Sequence, residues 1–412
     1  MASVIVVDNE LKDSIIEYGQ IIDGINQNDL FSSSLSQYIS EDSSNITNKL
    51  QLINKLYEVS SSETLTKLSD KEFEATFNLL IHVLLNVSDL KIVLDDTNSQ
   101  LYKILMECNP TKQPSLRDRR SLKSTTILSV FNTIFNLLPE YSSTRVFILS
   151  QILKIIEVSN FDFKLIEENL GSNLIMWLTK ANAKPQEIST IFWNFIKLNK
   201  KVNSNTLTYI NQYTKQFELN LSELHNLIKF AFSSEVVDIS FLINNNVAKA
   251  IKENSGDKLT QLFNKYVHGE LIQISDEVDQ DLKPLIQSKS KILNLAKFFS
   301  DNLNTLTFDF KDIPTYNANP QEFEFLVIEA IKAGVIEGKV NQLEQKFYLT
   351  RVNRFILAGE DNSQNWKDVK QVLLAWKNSL NNIEDIVNSA RESIVNAPIK
   401  ESEDDDEHDE NV

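Results

Sequence analysis

Metal, acid–base or nucleophilic chemistry in this chain would have to start from four histidines and one cysteine. Neither set is arranged for it. His82, His225, His268 and His408 are scattered, and no two fall at a spacing that places both on one helix face. A zinc site draws its ligands from such pairs or from closely spaced cysteines, and Cys108 stands alone. No histidine or basic neighbour is placed to activate that thiol, so it reads as structural. Neither the G-x-x-x-x-G-K-[ST] phosphate loop nor the G-x-S-x-G nucleophile elbow occurs. Adjacent carboxylates such as Glu167 and Glu168 are ordinary in an acidic chain. The expectation is a protein with no catalytic residues, no cofactor and no metal.

What the residue pattern does offer is apolar recognition. Trp366, Val369, Leu373, Trp376, Leu380, Ile383, Val387, Ala390 and Ile394 alternate in steps of three and four. That is an a/d heptad held across four repeats. A helix packing only on its own domain usually carries a wider stripe at period 3.6. A clean 3.5 period reads instead as a seam for other helices, and Val372 and Ile386 widen it on one flank, toward a bundle of several. The alternative is that the first half folds back on its own domain, leaving the part beyond Leu380 for a partner.

Composition narrows the classes further. The chain has 412 residues, with 41 Lys and Arg against 57 Asp and Glu, for a formal charge of −16. Half of that excess lies in the eight acids between Glu401 and Glu410. A broad electropositive surface for phosphate backbones is therefore excluded. Two small basic clusters, Arg117 with Arg119 and Arg120 and Lys197 with Lys200 and Lys201, read as solvated faces. The acidic tail reads as disordered and self-repelling, and Ser402-Glu403-Asp404-Asp405 resembles an acidophilic kinase acceptor. Glycine is scarce, 8 residues where average usage would be about 7% of the chain, which argues against glycine-rich loops. A lone cysteine suits a reducing compartment. Met1 to Asp8 lacks the basic start of a signal peptide, and no apolar run nears the roughly 18 residues of a membrane helix. The expected location is the cytoplasm.

The elements that must carry the seam can be read from the periodicity. From about residue 9 to 280 apolar residues recur at helical spacing, as in Phe73, Phe77, Leu80, Ile81 and Leu84, or Phe131, Ile134, Phe135 and Leu138. Asn109-Pro110, Gln113-Pro114, Leu138-Pro139 and Lys184-Pro185 mark boundaries, because the residue before proline leaves the α region. Many short helices with short turns predict a right-handed helical-repeat solenoid of degenerate two-helix units, about 35–40 residues each. Beyond residue 304 the period changes. Leu306 to Phe310 alternates as a strand does. Pro320 opens a helix capped by Asn319, and Gly334 closes it. Val335–Val340 and Phe347–Val352 then read as two strands.

Helix, strand, short helix, helix, strand, strand is the order of a winged helix, here about residues 284–355. Its recognition-position helix holds Glu322, Glu324 and Glu329 against Lys332, which would be repelled by a phosphate-lined groove. The organisation expected is 1–204 for N-terminal helical repeats and 205–360 for further repeats plus the winged helix. A bundle helix over 361–397 and the acidic tail 398–412 complete it.

Helical repeats capped by a winged helix and a trailing helix resemble the PCI family of the proteasome lid, the COP9 signalosome and eukaryotic translation initiation factor 3. The resemblance rests on Glu324-Phe325-Leu326-Val327-Ile328-Glu329-Ala330-Ile331 followed by Gly334-Val335-Ile336-Glu337-Gly338-Lys339-Val340-Asn341-Gln342. Asn341 stands where the family usually has aspartate. Ala375-Trp376-Lys377 with Leu380-Asn381, and Gln113-Pro114-Ser115-Leu116-Arg117 at the opening of a long helix to Leu138, are similar to segments of an initiation-factor member. The resemblance implies a non-catalytic scaffold that meets a PCI neighbour edge to edge through its winged helix, with Phe347, Leu349 and Val352 at that interface. It implies a last helix entering a shared bundle with PCI and MPN partners. Through such a complex the chain would reach the small ribosomal subunit, messenger RNA and initiator transfer RNA. A signalosome or lid subunit and an RNA-binding adaptor are the competing readings, separated by partner identity and by salt-dependent RNA affinity.

Overall fold

A computed structural model describes residues 10–39, 46, 48–111, 118, 121–200, 202–243, 246–272, 280, 282–302, 305–353, 355 and 363–395. The first residues, the Gln113–Arg117 segment, Arg119 and Arg120, Lys201, and the acidic tail with Ser402 and His408 lie outside the described residues. Two compact units divide the chain. One is Met1–Phe217 with Lys229–Val236; the other is Glu218–Ile228 with Val237–Val412.

The first unit is built from helices that pack in succession. Leu11–Asn26 lies against Asp70–Val87, which lies against Ser124–Leu137, then Thr144–Ser159, then Pro185–Lys197. Neighbour-to-neighbour packing is what a helical-repeat sequence demands, since no single hairpin can bury its own apolar face. Local chemistry sets the helix starts. Glu72 reaches back to the Ser69 backbone N–H at 3.1 Å, and Glu187 does the same to Lys184 at 2.9 Å ahead of Pro185. Inside Asp70–Val87 the stripe Phe73, Phe77, Leu80, Ile81 and Leu84 is buried.

One boundary differs from expectation. The helix ending at Leu137 begins at Ser124 rather than near Gln113. Asp118 takes the Ser121 N–H at 3.2 Å, and Asp70 takes the Lys123 N–H at 3.0 Å. Side-chain acceptors thus claim the backbone donors that would have extended the helix.

The second unit contains the winged helix. Its order is helix Lys283–Asp301, strand β1 Thr307–Asp309, helix Pro314–Ala318, helix Pro320–Lys332, strand β2 Ile336–Asn341 and strand β3 Lys346–Val352. The antiparallel sheet runs β1-β3-β2, with Phe308 and Val340 both opposite Phe347. The Asn319 side chain caps Pro320–Lys332 by accepting from the Gln321 N–H at 3.1 Å. The helix stops as Gly334, at φ +70, lets the Val335 N–H reach the Ala330 carbonyl and its own N–H reach that of Ile331. Those paired bonds form a Schellman stop. The core is aromatic. Phe299 stacks on Phe347 at 5.0 Å and meets Phe308 edge-on at 4.9 Å, while Phe310, Tyr316 and Phe323 form a second cluster.

The chain closes on one 33-residue helix, Ser363–Val395, about 50 Å long at 1.5 Å per residue. Among the described residues no helix is long and apolar enough to cross a membrane.

Candidate assembly interface

The heptad residues lie on the Ser363–Val395 helix, and the structure leaves them open. Trp366 is 72% exposed and Trp376 65%. Leu373, Leu380, Ile383 and Val387 are each more than half exposed, and so are the flanking Val372 and Ile386. Val369 is half-buried and Ala390 exposed; Ile394 belongs to the helix, but its side chain lies outside the described set. The first half therefore does not fold back on its own domain, as one reading of the sequence allowed. Burying a large apolar side chain is worth about 1.5–3 kcal/mol. A continuous stripe of them in water is a surface with that free energy still to gain.

The winged helix treats its expected interface residues differently. Phe347 and Leu349 are buried, and Val352 is half-buried opposite Ile336. The reason is topological. β3 is the central strand, so both of its edges are already paired and its inward side chains form the core. Phe347 and Leu349 thus hold the winged helix together rather than face a neighbour, and the free sheet edges belong to β1 and β2.

A second apolar surface went unread in the sequence. Of the residues on Pro320–Lys332, Phe323, Leu326, Val327 and Ala330 face the core, whereas Phe325, Ile328 and Ile331 point outward. Of these, Ile328 lines an open groove of about 600 Å³ together with Val340, Leu343 and Tyr348. Helical spacing alone could not separate the two faces, because apolar residues occur on both.

Lys339 lines the groove, and three other cations of the winged helix are tied to carboxylates. Lys291 pairs with Glu322, Lys332 with Glu329 at 2.8 Å, and Arg351 with Glu337 at 2.9 Å. Gln342 donates to Glu324 at 3.3 Å. Three of the nearby cations are thus spent on carboxylates, where a phosphate site would need them free.

The titratable residues are occupied structurally. His225 Nε2 lies 2.9 Å from Asp257 Oδ2, and Asp257 caps Lys258–Val267 through the Thr260 N–H. Burial works to raise the Asp257 carboxyl, but the bonds from Thr260 and His225 outweigh it and hold it below the usual range. His82 leans on Asn86, and His268 Nδ1 sits 2.7 Å from the Asn264 carbonyl. Glu167 is buried and accepts from Asn203 at 3.4 Å. Burial pushes the Cys108 thiol up to about 12 and the Lys289 ammonium down to about 8. No group of three or more histidine, cysteine, aspartate or glutamate side chains able to hold a metal occurs among the described residues.

Helical repeats ending in a winged helix and an open heptad helix place the chain, by architecture, in the class of helical-repeat, winged-helix proteins. No family model matches the sequence. The chain is similar to proteins named eukaryotic translation initiation factor 3 subunit M. It is 25% identical to that of Aspergillus terreus over 361 residues, covering 82% of this chain and 75% of the relative. The Aspergillus clavatus protein is 24% identical over 415 residues, covering 92% and 84%. That of Aspergillus fumigatus is 22% identical over 427 residues, covering 95% and 87%. The resemblance thus runs through repeats, winged helix and last helix alike.

Proposed function

We propose that this chain is a non-catalytic scaffold subunit of eukaryotic translation initiation factor 3, working in the cytoplasm. The observation that carries the reading is the open a/d seam of Ser363–Val395, on a chain similar along most of its length to subunit M. A helix of that length gains its stability from packing an apolar stripe, and here no stripe partner lies within the described chain. The seam enters a bundle with helices of neighbouring PCI and MPN subunits, the latter being f and h. The free β2 edge pairs with a neighbouring PCI subunit by strand addition. Through those contacts the subunit supports binding to the small ribosomal subunit and recruitment of messenger RNA and initiator transfer RNA. Direct RNA contact is not part of its role, given the tied cations around the winged helix.

The test is affinity capture of the tagged native chain, with mass spectrometry and a sucrose gradient. Initiation-factor subunits in the eluate, and migration with the small ribosomal subunit, are expected. Recovery with deneddylase or proteasome-lid components would keep the architecture and overturn the function. A lone chain at the top of the gradient would overturn both.

A further inference from the structure

The Ser363–Val395 helix carries a second pattern besides its seam, and that pattern constrains what can lie against it. Its first half holds Lys367, Lys370 and Lys377 against Asp368; its second holds Glu384, Asp385 and Glu392 against Arg391. No acid occupies the first turn and no base the last. This is the reverse of what a helix needs for itself, since its dipole favours acids at the N-terminus and bases at the C-terminus. Side-chain charge and backbone dipole therefore add, making one end positive and the other negative. Eight further acids follow within the tail.

From this polarity we infer that, apart from its partners, the chain pairs with a second copy of itself through an antiparallel coiled coil of this helix. An antiparallel pair brings each positive half against the other copy's negative half. A parallel pair would set like ends together and bring two eight-acid tails out side by side. The heptad supplies a matching register. Centred between Asn381 and Asn382, it sets Leu380 opposite Ile383 of the second copy and Trp376 opposite its Val387. Leu373 then meets Ala390. The largest knobs fall opposite small or β-branched ones, as close packing requires.

Flanking these layers, the e positions place Lys377 beside Glu384 of the second copy, and the symmetry of the pair repeats the contact. Lys370 falls beside Arg391, a like-charged pair near each end of the overlap. The overlap, residues 368–395, is about 42 Å long at 1.5 Å per residue. Four heptads are enough for a stable seam.

This inference goes beyond membership of a complex and fails separately from it. The first measurement is sedimentation of the full chain across a concentration series at low and high salt. A dimer that weakens as salt rises is expected; a monomer at tens of micromolar would overturn the inference while leaving co-purification with initiation-factor subunits untouched. Leu380→Asp with Ile383→Asp must weaken the dimer at least tenfold, and a dimer unchanged by it would place the contact elsewhere. Lys377→Glu and Glu384→Lys should each weaken pairing several-fold and restore it when combined; failure to restore would overturn the register.

Direction is read by spin-label distances, with Cys108 buried and the introduced thiol therefore the reactive one. A label at position 367 should lie about 44 Å from its mate in the antiparallel pair, and one at position 382 within about 20 Å. Two short distances would mean a parallel pair and refute the inference.

Discussion

Gly338 lies directly over the ring of Phe347: a Cβ placed on that glycine would come within 2.5 Å of Phe347 Cζ and 2.5 Å of the Tyr348 carbonyl oxygen. The register of β2 and β3 slips at Glu337 and Gly338, where this close approach occurs. Gly338→Val should therefore destabilise the winged helix by about 1–3 kcal/mol. Phe347→Ala, which empties the stack on Phe299, should cost about 3–5 kcal/mol. Urea unfolding followed by tryptophan fluorescence and circular dichroism would read both. An unchanged midpoint for Phe347→Ala would mean that the ring is not part of the core.

Leu380→Asp combined with Ile383→Asp should leave the stability of the two compact units within about 0.5 kcal/mol, because both side chains are more than half exposed. The same pair of substitutions should strip the chain from its complex. Co-purification at unaltered yield would remove the seam from the assembly.

The outward face of Pro320–Lys332 makes a separate prediction. Phe325→Asp with Ile328→Asp should not alter the melting of the free chain by more than about 0.5 kcal/mol. It should reduce recovery of the neighbour that contacts the winged helix while recovery of bundle partners persists. Loss of all partners together would mean that the two surfaces act as one.

Asp70 joins two successive helices of the first unit. It accepts the Lys123 N–H at 3.0 Å and the Thr126 hydroxyl at 2.6 Å, with Lys123 Nζ 3.3 Å away. Burial favours a raised pKa, yet these bonds prevail and hold the carboxyl below its ordinary value. A depressed carboxylate contributes stability above the unfolded-state pKa, and that contribution is lost as pH falls through the folded-state value. Acid unfolding should thus be less steep in Asp70→Ala, which at neutral pH should cost about 1–3 kcal/mol by leaving buried donors unmet. Denaturant midpoints between neutral pH and pH 3 would check it.

Lys289 should show a dependence of the same sign in a higher pH window. Its ammonium is buried on Lys283–Asp301 and pushed down to about 8. The unfolded chain holds that proton up to about pH 10.4, so it binds more protons than the folded chain across the interval. Stability should rise with pH from about 8 upward. Lys289→Met should flatten the rise between pH 7.5 and 9.5. An equally steep rise in the variant would assign the effect to another group.

What the sequence determined by itself was periodicity and chemistry. The 3.5-residue repeat from Trp366 to Ile394 marked one long helix with an apolar stripe without reference to any other element, because a heptad is a property of one helix. Asn319, Pro320 and Gly334 set the recognition-position helix within two residues, since caps and left-handed stops act over a single turn. The scattering of His82, His225 and His268 already argued against a shared site.

What only the tertiary structure decided was which apolar residue faces inward. Phe347 and Leu349 alternate as any half-buried strand does, and only the strand order, with β3 in the middle, makes them core. Phe325 and Ile328 sit one position from Leu326 and Val327, and the packing of Lys283–Asp301 against that helix selects the inner pair. The start at Ser124 likewise depended on Asp70, more than fifty residues away in sequence. Burial is a relation between elements, so a one-dimensional pattern fixes its period and leaves its direction to the fold.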